Sequence, residues 1–371
     1  MHVHHVNLQS IVGGGEIYTR SLTRALIECG VRVTLYVHPA NEVWNNLGVK
    51  TIRIENEEQL AECLPARDAC LLVHTKLSEE TAMQQSKKHF LAGYAHLPMH
   101  QREPGWLSHC QLVLTVSRYC LGLLERAGVK NVYPEPMYGV ADPARGDPDA
   151  PIVKRSPYNW DGRKLRDVLL GKLEPLAGLF SSRETFLKKP GLTLGIVSLI
   201  APIKQFPLLF SHLAPILARH DMNLEVFGAG GYAQVRDLKA ALAPIRHRTR
   251  FWGFQQDVAA VYPKLDYLLT GLPEKEALGL NVLESQICGT PVLAPRAPPF
   301  TETVLDGRSG FLYRDPREDR GADFEKLLSS LGKRARPDPR QASDHLAEFS
   351  YAALVGRTKR LLERLRNRMP A

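Results

Sequence analysis

Short apolar strands that alternate with helices constrain the fold of this chain more than any other feature. Near the N-terminus, apolar segments at 3–8 and 31–37 flank the turn Gly13-Gly14-Gly15 and a helical pattern at 17–29. This order predicts a βαβ unit. Further strands are predicted at 70–74, 91–95 and 112–116. Because short apolar strands separated by helices are typical of a parallel sheet buried on both faces, the first half predicts a Rossmann-like domain.

A second alternating series occupies the C-terminal half of the chain. Strands are predicted at 192–199, 224–227, 250–253, 267–269 and 291–294, and helices at 206–219, 232–245, 258–262 and 279–288. A length of 371 residues exceeds what one hydrophobic core usually organises. We therefore predict an α/β protein of two Rossmann-like domains whose parallel sheets face an interdomain cleft. Open α/β sheets bind ligands beyond the carboxyl ends of their strands, which places the predicted site in that cleft.

The predicted domain boundaries follow from the places where this alternation stops. The first domain is assigned to residues 1–190, and its end, at 145–190, is a proline-rich basic insertion with one helix near 163–179. The second domain is assigned to residues 191–345. Residues 346–371 are predicted to form a C-terminal helix that packs across the domains.

Composition and charge narrow the class of protein. The net charge of +9 and the isoelectric point near 9.2 favour anionic partners. We exclude nucleic acid as a partner because basic residues are not interleaved with stacking aromatic residues and no docking motif is present. Six scattered cysteines without a C-x-x-C pair indicate reduced thiols and no metal site. With neither a signal peptide nor a long apolar run, we expect a cytoplasmic protein.

The turn Gly13-Gly14-Gly15 lies between a strand and a helix. A glycine-rich turn at this place lets backbone N–H groups and a helix N-terminus approach a phosphate closely. The alternative is an ordinary tight turn. The turn lacks the G-x-G-x-x-G pattern, and no acidic residue ends the second strand, so an NAD-dependent dehydrogenase is disfavoured.

Two glutamates, Glu276 and Glu284, flank Gly279 in the segment E-A-L-G-L-N-V-L-E. The spacing predicts a loop that runs into a helix, with Glu276 before the helix and Glu284 two turns inside it. The helix N-terminus would offer N–H groups to an anion, and Glu284 would accept hydrogen bonds from ribose hydroxyls. On spacing alone, the alternative is that Glu276 complements the helix dipole and Glu284 is a solvated helical residue.

This segment resembles the E-x-F-G-x-x-x-x-E core of the family-4 retaining glycosyltransferases, the glycosyl transferases group 1. It is followed by G-T-P-V-L-A at 289–294 and G-R-S-G-F-L-Y at 307–313, as in that family. The resemblance extends to the Gly-Gly-x-Glu turn near the N-terminus, to G-V-A-D at 139–142 and to G-A-G at 228–230. It implies the GT-B fold, in which two Rossmann-like domains surround a nucleotide-sugar cleft.

The resemblance also implies an activity. A retaining, metal-independent glycosyltransferase would move a sugar from a UDP- or GDP-sugar to a glycan, a lipid-linked sugar or a small-molecule acceptor, as in polysaccharide biosynthesis. We expect UDP rather than GDP, and no cofactor other than this co-substrate. The leaving group is a nucleoside diphosphate, so catalysis chiefly requires positive charge and aligned N–H dipoles at the departing oxygen.

Roles of individual residues are likewise implied by the resemblance. His96, Glu276 and Lys204 would carry the chemistry: His96 at the transferred sugar and acceptor, Glu276 on the sugar hydroxyls, and Lys204 on the diphosphate. The remaining donor-binding residues would be Gly14 and Gly15 at the diphosphate, Gly253 and Phe254 at the base, Leu278, Gly279, Leu280 and Asn281 as backbone donors, and Glu284 at the ribose.

Each of these assignments has a structural alternative in the sequence. Lys204 could be a surface lysine, and His96 could be a histidine with a purely structural role at the end of a strand. Phe254 and its neighbour Trp252 could be core aromatics rather than contacts of the base.

The chain departs from the family pattern at three positions. Leu199 stands where an arginine usually contacts the diphosphate, and leucine cannot replace the bidentate donors of arginine. Tyr138 replaces the usual asparagine, and Leu278 replaces the common phenylalanine. The missing arginine keeps a second hypothesis open, a catalytically silent binding or scaffold protein on the same fold.

A basic C-terminal segment at 356–368 carries Leu361, Leu362 and Leu365 as its apolar residues. Basic helices of this kind bind anionic lipid surfaces, which raises peripheral contact with the inner membrane surface as an expectation. The alternative is a packed C-terminal helix whose basic face is solvated.

Overall fold

The computed structural model describes residues 1–10, 13–100, 103–141, 147–160, 169, 171 and 184–367. Contacts divide the chain into two compact units: Met1–Ala141 with Ala347–Ala371, and Asp142–Leu346. This division groups residues 142–190 with the second unit, whereas the sequence analysis assigned them to the first domain. The helix expected near 163–179 lies outside the described residues, apart from residues 169 and 171.

The first unit is built on a six-stranded parallel sheet of order β3-β2-β1-β4-β5-β6. Its strands are β1 His2–Asn7, β2 Arg32–Val37, β3 Lys50–Arg53, β4 Cys70–Val73, β5 Phe90–Ala95 and β6 Leu112–Thr115. Its helices are α1 Gly14–Glu28, α2 Glu57–Cys63, α3 Glu79–Ser86 and α4 Arg118–Arg126, joined from the C-terminal end of the chain by α13 Tyr351–Arg366. This strand order is that of a doubly wound Rossmann-like sheet.

The second unit repeats this arrangement, with a parallel sheet of order β12-β11-β10-β7-β8-β9. Its strands are β7 Leu192–Val197, β8 Met222–Phe227, β9 Thr249–Gly253, β10 Tyr267–Leu269, β11 Val292–Pro295 and β12 Gly310–Tyr313. Its helices are α5 Phe206–Leu217, α6 Tyr232–Ala241, α7 Val258–Val261, α8 Leu280–Ile287, α9 Phe300–Thr303, α10 Pro316–Asp319 and α11 Ala322–Leu331, and α12 Ser343–Ala347 follows.

The structure corrects the sequence prediction at one helix and adds two strands, β3 Lys50–Arg53 and β12 Gly310–Tyr313. The helix predicted at 232–245 ends at Ala241, and a 3-10 turn at Ala243–Arg248 follows. Pro244 explains the break, because it has no N–H to continue the helical hydrogen bonds. Strand β3 was not predicted, since its sequence K-T-I-R is short and lies at the sheet edge without a fully buried residue.

The fold places two switch points where strand order reverses. In the first unit the reversal lies between β1 and β4, and in the second it lies between β7 and β10. In open α/β sheets, ligands bind beyond the carboxyl ends of the strands at such points. The residues just after β1 and β4, with those after the neighbouring β5, and the residues just after β7 and β10 therefore occupy the positions at which such sheets bind ligands.

A buried ion pair joins the last two strands at one end of the second sheet, β8 and β9. The Glu225 carboxylate on β8 is almost fully buried and accepts hydrogen bonds from Arg250 Nη2 at 2.6 Å and from Trp252 Nε1 at 2.7 Å. Both donors lie on β9, so the neighbouring strands share one polar network inside an apolar sheet. The network makes Trp252 a core residue.

The C-terminal helix α13 packs against α1 within the first unit. Its Leu361, Leu362 and Leu365 side chains are buried against the protein. Arg357 lies with its guanidinium carbon 4.6 Å from the ring centroid of Tyr138 and pairs with Glu135 at 3.5 Å. The leucines of this helix therefore contribute to the fold rather than forming an exposed apolar face. Contact with a membrane surface and packing across the domains stay predictions.

Among the helices that the structure describes, none combines the length and apolar character needed to cross a bilayer.

Candidate functional site

The carboxyl edge of the second sheet brings together Lys204 and Glu276, which are 72 residues apart in the chain. Lys204 ends the 3-10 turn Pro202–Lys204 that follows β7, and Glu276 lies in the loop that follows β10. The Lys204 ammonium group donates a hydrogen bond to Oε2 of Glu276. The two side chains are 21% and 15% exposed, so the pair lies at the surface of the unit without being fully solvated.

Backbone contacts hold the loop after β7 close to the loop after β10. The Lys204 carbonyl accepts a hydrogen bond from the Leu272 amide at 3.2 Å. A Cβ at Gly271 would lie 2.3 Å from the same carbonyl oxygen, so only glycine fits there without moving the loop. The ion pair is thus a consequence of the switch point, where β7 and β10 are neighbours.

Helix α8 begins beside this pair. Gly279 precedes the helix with φ of 83°, a left-handed conformation that glycine adopts without strain. The side-chain amide of Asn281 donates to the carbonyl of Val197, the last residue of β7, at 3.0 Å. This bond ties the start of α8 to the switch point. The first N–H groups of a helix, here those of Leu280 and Asn281, have no partner within the helix and form a donor site for an anion.

The buried side chain of Leu278 belongs to the apolar packing below this turn. Only its backbone can therefore contribute to a ligand site. The backbone roles that the sequence analysis gives to residues 278–281 stay predictions.

Glu284 lies further along α8, and one of its carboxylate oxygens is already occupied. The hydroxyl of the fully buried Tyr262 donates to Oε2 of Glu284 at 2.8 Å. Burial raises the pKa of Glu284, and the hydrogen bond from Tyr262 acts in the opposite direction. Tyr262 orients the carboxylate, and no motif in the sequence identified it, because it comes from a separate turn after α7.

The residues predicted to border a base lie at the end of β9. Gly253 has φ of 67°, and a Cβ there would lie 2.4 Å from the carbonyl oxygen of Ser156 and 2.6 Å from that of Arg155. Glycine is therefore required where the segment 155–156 crosses the strand. Phe254 is 61% exposed, so its ring is not part of the core. The two aromatic neighbours differ: Trp252 is structural, and Phe254 presents its ring to solvent.

Leu199 is 47% exposed just beyond the end of β7. An apolar side chain thus occupies the solvent-facing position at which the family resemblance implies an arginine.

The carboxyl edge of the first sheet carries the glycine turn. The N–H of Gly13 donates to Oε2 of Glu16 at 2.8 Å, and the amide of Asn7 donates to the other oxygen at 3.4 Å. Gly14 and Gly15 are the first two residues of α1. A Cβ built at Gly15 would lie 4.0 Å from Cγ of His96, so the helix N-terminus and this histidine are direct neighbours.

His96 heads a chain of three histidines. Its Nε2 lies 2.7 Å from Nδ1 of His74, and Nε2 of His74 lies 2.6 Å from Nε2 of His5. Nδ1 of His5 lies 2.9 Å from Oγ1 of Thr23 on α1. These histidines lie on or just after β1, β4 and β5, which are adjacent in the sheet. We call this chain from His96 to Thr23 the histidine relay.

Burial makes the relay electrically neutral. It lowers the pKa of His96 to about 4 and that of His5 to about 3, and it lowers the pKa of His74 well below its ordinary value. The Tyr94 ring stacks on His74 with centroids 4.2 Å apart. His5 and His74 were missed in the sequence because their proximity depends on strand order, which no local spacing shows.

No group of three or more histidine, cysteine, aspartate or glutamate side chains suited to a metal ion occurs in the described parts of the chain. The relay nitrogens bond one another in a line rather than converging on a point.

Comparison with known proteins identifies this architecture. The family model described as glycosyl transferases group 1 matches residues 191–330. The D-inositol 3-phosphate glycosyltransferase of Stackebrandtia nassauensis is 38% identical over 98 residues, which are 26% of this chain and 21% of that protein. The enzyme of the same description from Mycobacterium marinum is 29% identical over 220 residues, 57% of this chain and 43% of the relative.

Among solved structures, Anabaena Alr3699/HepE in complex with UDP superposes with a TM-score of 0.69 at 15% identity, over 98% of this chain and 100% of that one. Another structure of that protein contains UDP-glucose. These matches confirm the resemblance and the fold: the segment 191–330 belongs to the glycosyl transferases group 1, and the chain has the GT-B fold. The matches with the two curated relatives span between a fifth and less than half of the relatives' own lengths.

Proposed function

We propose that this chain, whose segment 191–330 belongs to the glycosyl transferases group 1, is a retaining glycosyltransferase that moves a sugar from a UDP-sugar to a hydroxyl-bearing acceptor. The observation that carries the proposal is the Lys204–Glu276 pair beside the N-terminus of α8. It combines a cation, a carboxylate and backbone donors within one switch point. A nucleoside diphosphate sugar requires these three kinds of group at its phosphates and its sugar hydroxyls.

The pair would change partners when the donor binds. Before binding, Lys204 and Glu276 neutralise each other, which keeps two partly desolvated charges satisfied. The diphosphate would draw the Lys204 ammonium group, and the freed Glu276 carboxylate would accept hydrogen bonds from the transferred sugar. Lys204 would then stabilise the charge that develops on the departing phosphate oxygen, a role that needs no metal ion.

Retention of configuration would follow from attack on the same face as the leaving group. Once freed from Lys204, Glu276 would accept hydrogen bonds from the sugar hydroxyls, so its proposed role is to orient the sugar rather than attack the anomeric carbon. Glu284, held by Tyr262, would keep its other oxygen for the ribose hydroxyls. Phe254 would offer its exposed ring to the base.

The choice of UDP over GDP is also part of the proposal. It is supported by UDP in the structure of Alr3699/HepE, a protein of similar fold. The acceptor is proposed only as a class, a glycan, a lipid-linked sugar or a small molecule that carries a hydroxyl group.

Calorimetric titration with UDP and GDP tests the donor site. We expect UDP to bind more tightly than GDP and Lys204→Ala to lose most of this binding. Lys275→Ala is the matched control, because Lys275 is an exposed neighbour of Glu276 in the same loop. A mass-spectrometric screen of nucleotide-sugar hydrolysis then identifies the sugar and the base. Absence of binding to both nucleotides would refute the proposal.

A second candidate, a catalytically silent binding protein on this fold, is favoured by one observation. Leu199 is an exposed apolar residue at the edge where a diphosphate would lie, and it supplies no hydrogen-bond donor. This candidate predicts nucleotide binding without transfer or hydrolysis. Donor hydrolysis that is lost on Glu276→Ala, with unchanged UDP binding, would exclude it.

A further inference from the structure

The donor and acceptor of each hydrogen bond in the histidine relay can be assigned by starting from Thr23. The hydroxyl of Thr23 donates to the carbonyl of Thr19 at 2.9 Å, so its hydrogen is already used. Oγ1 of Thr23 must then accept the hydrogen bond from Nδ1 of His5. A neutral His5 with a hydrogen on Nδ1 has none on Nε2, and that nitrogen becomes an acceptor.

The acceptor nitrogen of His5 determines the donors and acceptors of His74 and His96. Nε2 of His74 must donate to Nε2 of His5, which leaves Nδ1 of His74 without a hydrogen. Nδ1 of His74 therefore accepts from Nε2 of His96. The remaining ring nitrogen of His96, Nδ1, carries a lone pair and no hydrogen. Nδ1 forms no hydrogen bond with any residue that the structure describes.

The surroundings of the relay favour three neutral rings. Among the described residues, the titratable side chains whose rings contact the relay are Tyr18 on α1 and Tyr94 on β5. The Tyr18 hydroxyl donates to the Tyr94 hydroxyl at 3.1 Å. Burial raises the pKa of both tyrosines, so they supply no negative charge to stabilise a histidine cation. The N-terminus of α1 beside His96 also disfavours a positive charge there.

We propose that His5 and His74 are positioning residues that hold His96 as the Nε2–H tautomer, so that Nδ1 of His96 accepts a hydrogen bond from a substrate hydroxyl. The hydroxyl-bearing substrate rests on the proposed function, whereas the tautomer rests on the relay alone. A lone pair at this position bonds a hydroxyl but repels a phosphate or carboxylate oxygen. The neighbouring N–H groups of Gly14 and Gly15 have the opposite preference. This edge thus offers an acceptor for a hydroxyl at His96 and donors for an anion at Gly14 and Gly15.

Histidine-labelled ¹⁵N NMR of the full chain tests the tautomer directly. The signal of His96 is identified by its loss in His96→Gln. We expect the unprotonated Nδ1 and protonated Nε2 signature between about pH 6 and 8, where an unshifted histidine would titrate. The variant serves only to assign the signal, and the tautomer is observed in the wild-type protein, so a hydrogen on Nδ1 of His96 at neutral pH would overturn the proposal.

His74→Phe tests the relay, because it keeps a ring against Tyr94 but removes the acceptor for Nε2 of His96. We expect His96 to populate the Nδ1–H tautomer in this variant. His4→Phe is the matched control, since His4 is buried on the same strand as His5 but bonds Tyr36 at 2.9 Å and lies outside the relay. An unchanged His96 signal in a folded His74→Phe would overturn the proposal.

Kinetics separate this inference from the proposed function. We expect His74→Phe to lower kcat/KM by about tenfold, the loss expected for one misplaced hydrogen bond, with unchanged affinity for UDP. Equal loss of UDP affinity would show a general structural effect and overturn the positioning role. If the wild type neither binds UDP nor transfers sugar, the proposed function fails, and the NMR spectrum still decides the tautomer.

Discussion

The carboxyl edges of the two sheets have the same topology but differ in charge: one presents an ion pair and the other presents a neutral histidine relay. The edge of the second unit holds ionic groups, with Lys204 paired to Glu276 and Glu284 held by a tyrosine hydroxyl. The edge of the first unit holds the neutral histidine relay, with His96 backed by two buried histidines and flanked by helix N–H groups, and its Glu16 carboxylate is bonded to the glycine turn. One Rossmann-like strand order therefore supports either kind of site, and the side chains that follow the strands decide which.

The difference matters for the chemistry that each edge can perform. A charged pair that is only partly exposed can exchange its partner for a phosphate, because both states keep the lysine paired. A neutral relay cannot supply charge, but it can fix which nitrogen carries a hydrogen. The charged edge therefore suits stabilisation of a leaving group, and the neutral relay suits recognition of a hydroxyl.

Removal of the carboxylate at Glu276 is expected to give the largest effect. Glu276→Gln should lower kcat/KM for sugar transfer by about 100-fold, because hydrogen bonds to a charged partner contribute about 1.5–3 kcal/mol. UDP affinity should not fall, since the proposed contact of Glu276 is the sugar and the variant leaves Lys204 free for the diphosphate. Steady-state kinetics and calorimetry measure the two quantities separately.

Glu274→Gln is the matched control for this variant. Glu274 lies two residues away, is exposed and pairs with Arg317 at 3.0 Å. We expect it to keep wild-type transfer. A Glu276→Gln enzyme as active as the wild type would place the essential charge elsewhere and remove the contrast between the two edges.

The neutral relay predicts a dependence of stability on pH. Above 6.5 these histidines are neutral in both the folded and the unfolded chain. Below 6.5 the unfolded chain takes up protons that the folded protein does not, down to the folded pKa of about 4 for His96 and about 3 for His5. The free energy of unfolding should therefore fall with falling pH, by about 1.4 kcal/mol per pH unit for each fully shifted histidine.

Urea unfolding at a series of pH values measures this slope. His96→Gln removes one titrating group and should make the slope shallower between about pH 4 and 6.5. His247→Gln, which removes an exposed histidine of the second unit, is the control for loss of a histidine. Equal slopes in the wild type and His96→Gln would mean that His96 is not held neutral by burial.

The contrast between the edges also explains what the sequence could predict. The alternation of strands and helices was sufficient to predict the two parallel sheets. The Glu276–Glu284 segment is contiguous, so its turn and helix could be recognised from spacing and resemblance. The relay comes from residues 5, 74 and 96, which meet only because β1, β4 and β5 are neighbours. Tyr262 was missed for the same reason, since its contact with Glu284 joins two separate segments.

Restoration of an arginine at position 199 tests whether the charged edge is incomplete. Leu199→Arg replaces an exposed leucine and should tighten UDP binding by about tenfold, because a guanidinium adds charge-assisted hydrogen bonds to a diphosphate. Leu199→Gln controls for the loss of the apolar side chain. Weaker or unchanged UDP binding in the arginine variant would show that this position does not face the phosphates.

The smallest effect is expected at Phe254. Its exposed ring is proposed to contact the base, so Phe254→Ala should weaken UDP binding by about fivefold, which corresponds to about 1 kcal/mol of aromatic stacking. Leu187→Ala, at an even more exposed apolar residue of the same unit, controls for loss of surface apolar area. Because stacking depends on the base and not on the phosphates, inorganic pyrophosphate should bind both Phe254→Ala and the wild type equally. If Phe254→Ala lost equal affinity for UDP and pyrophosphate, Phe254 would support the charged residues of the edge and would not contact the base.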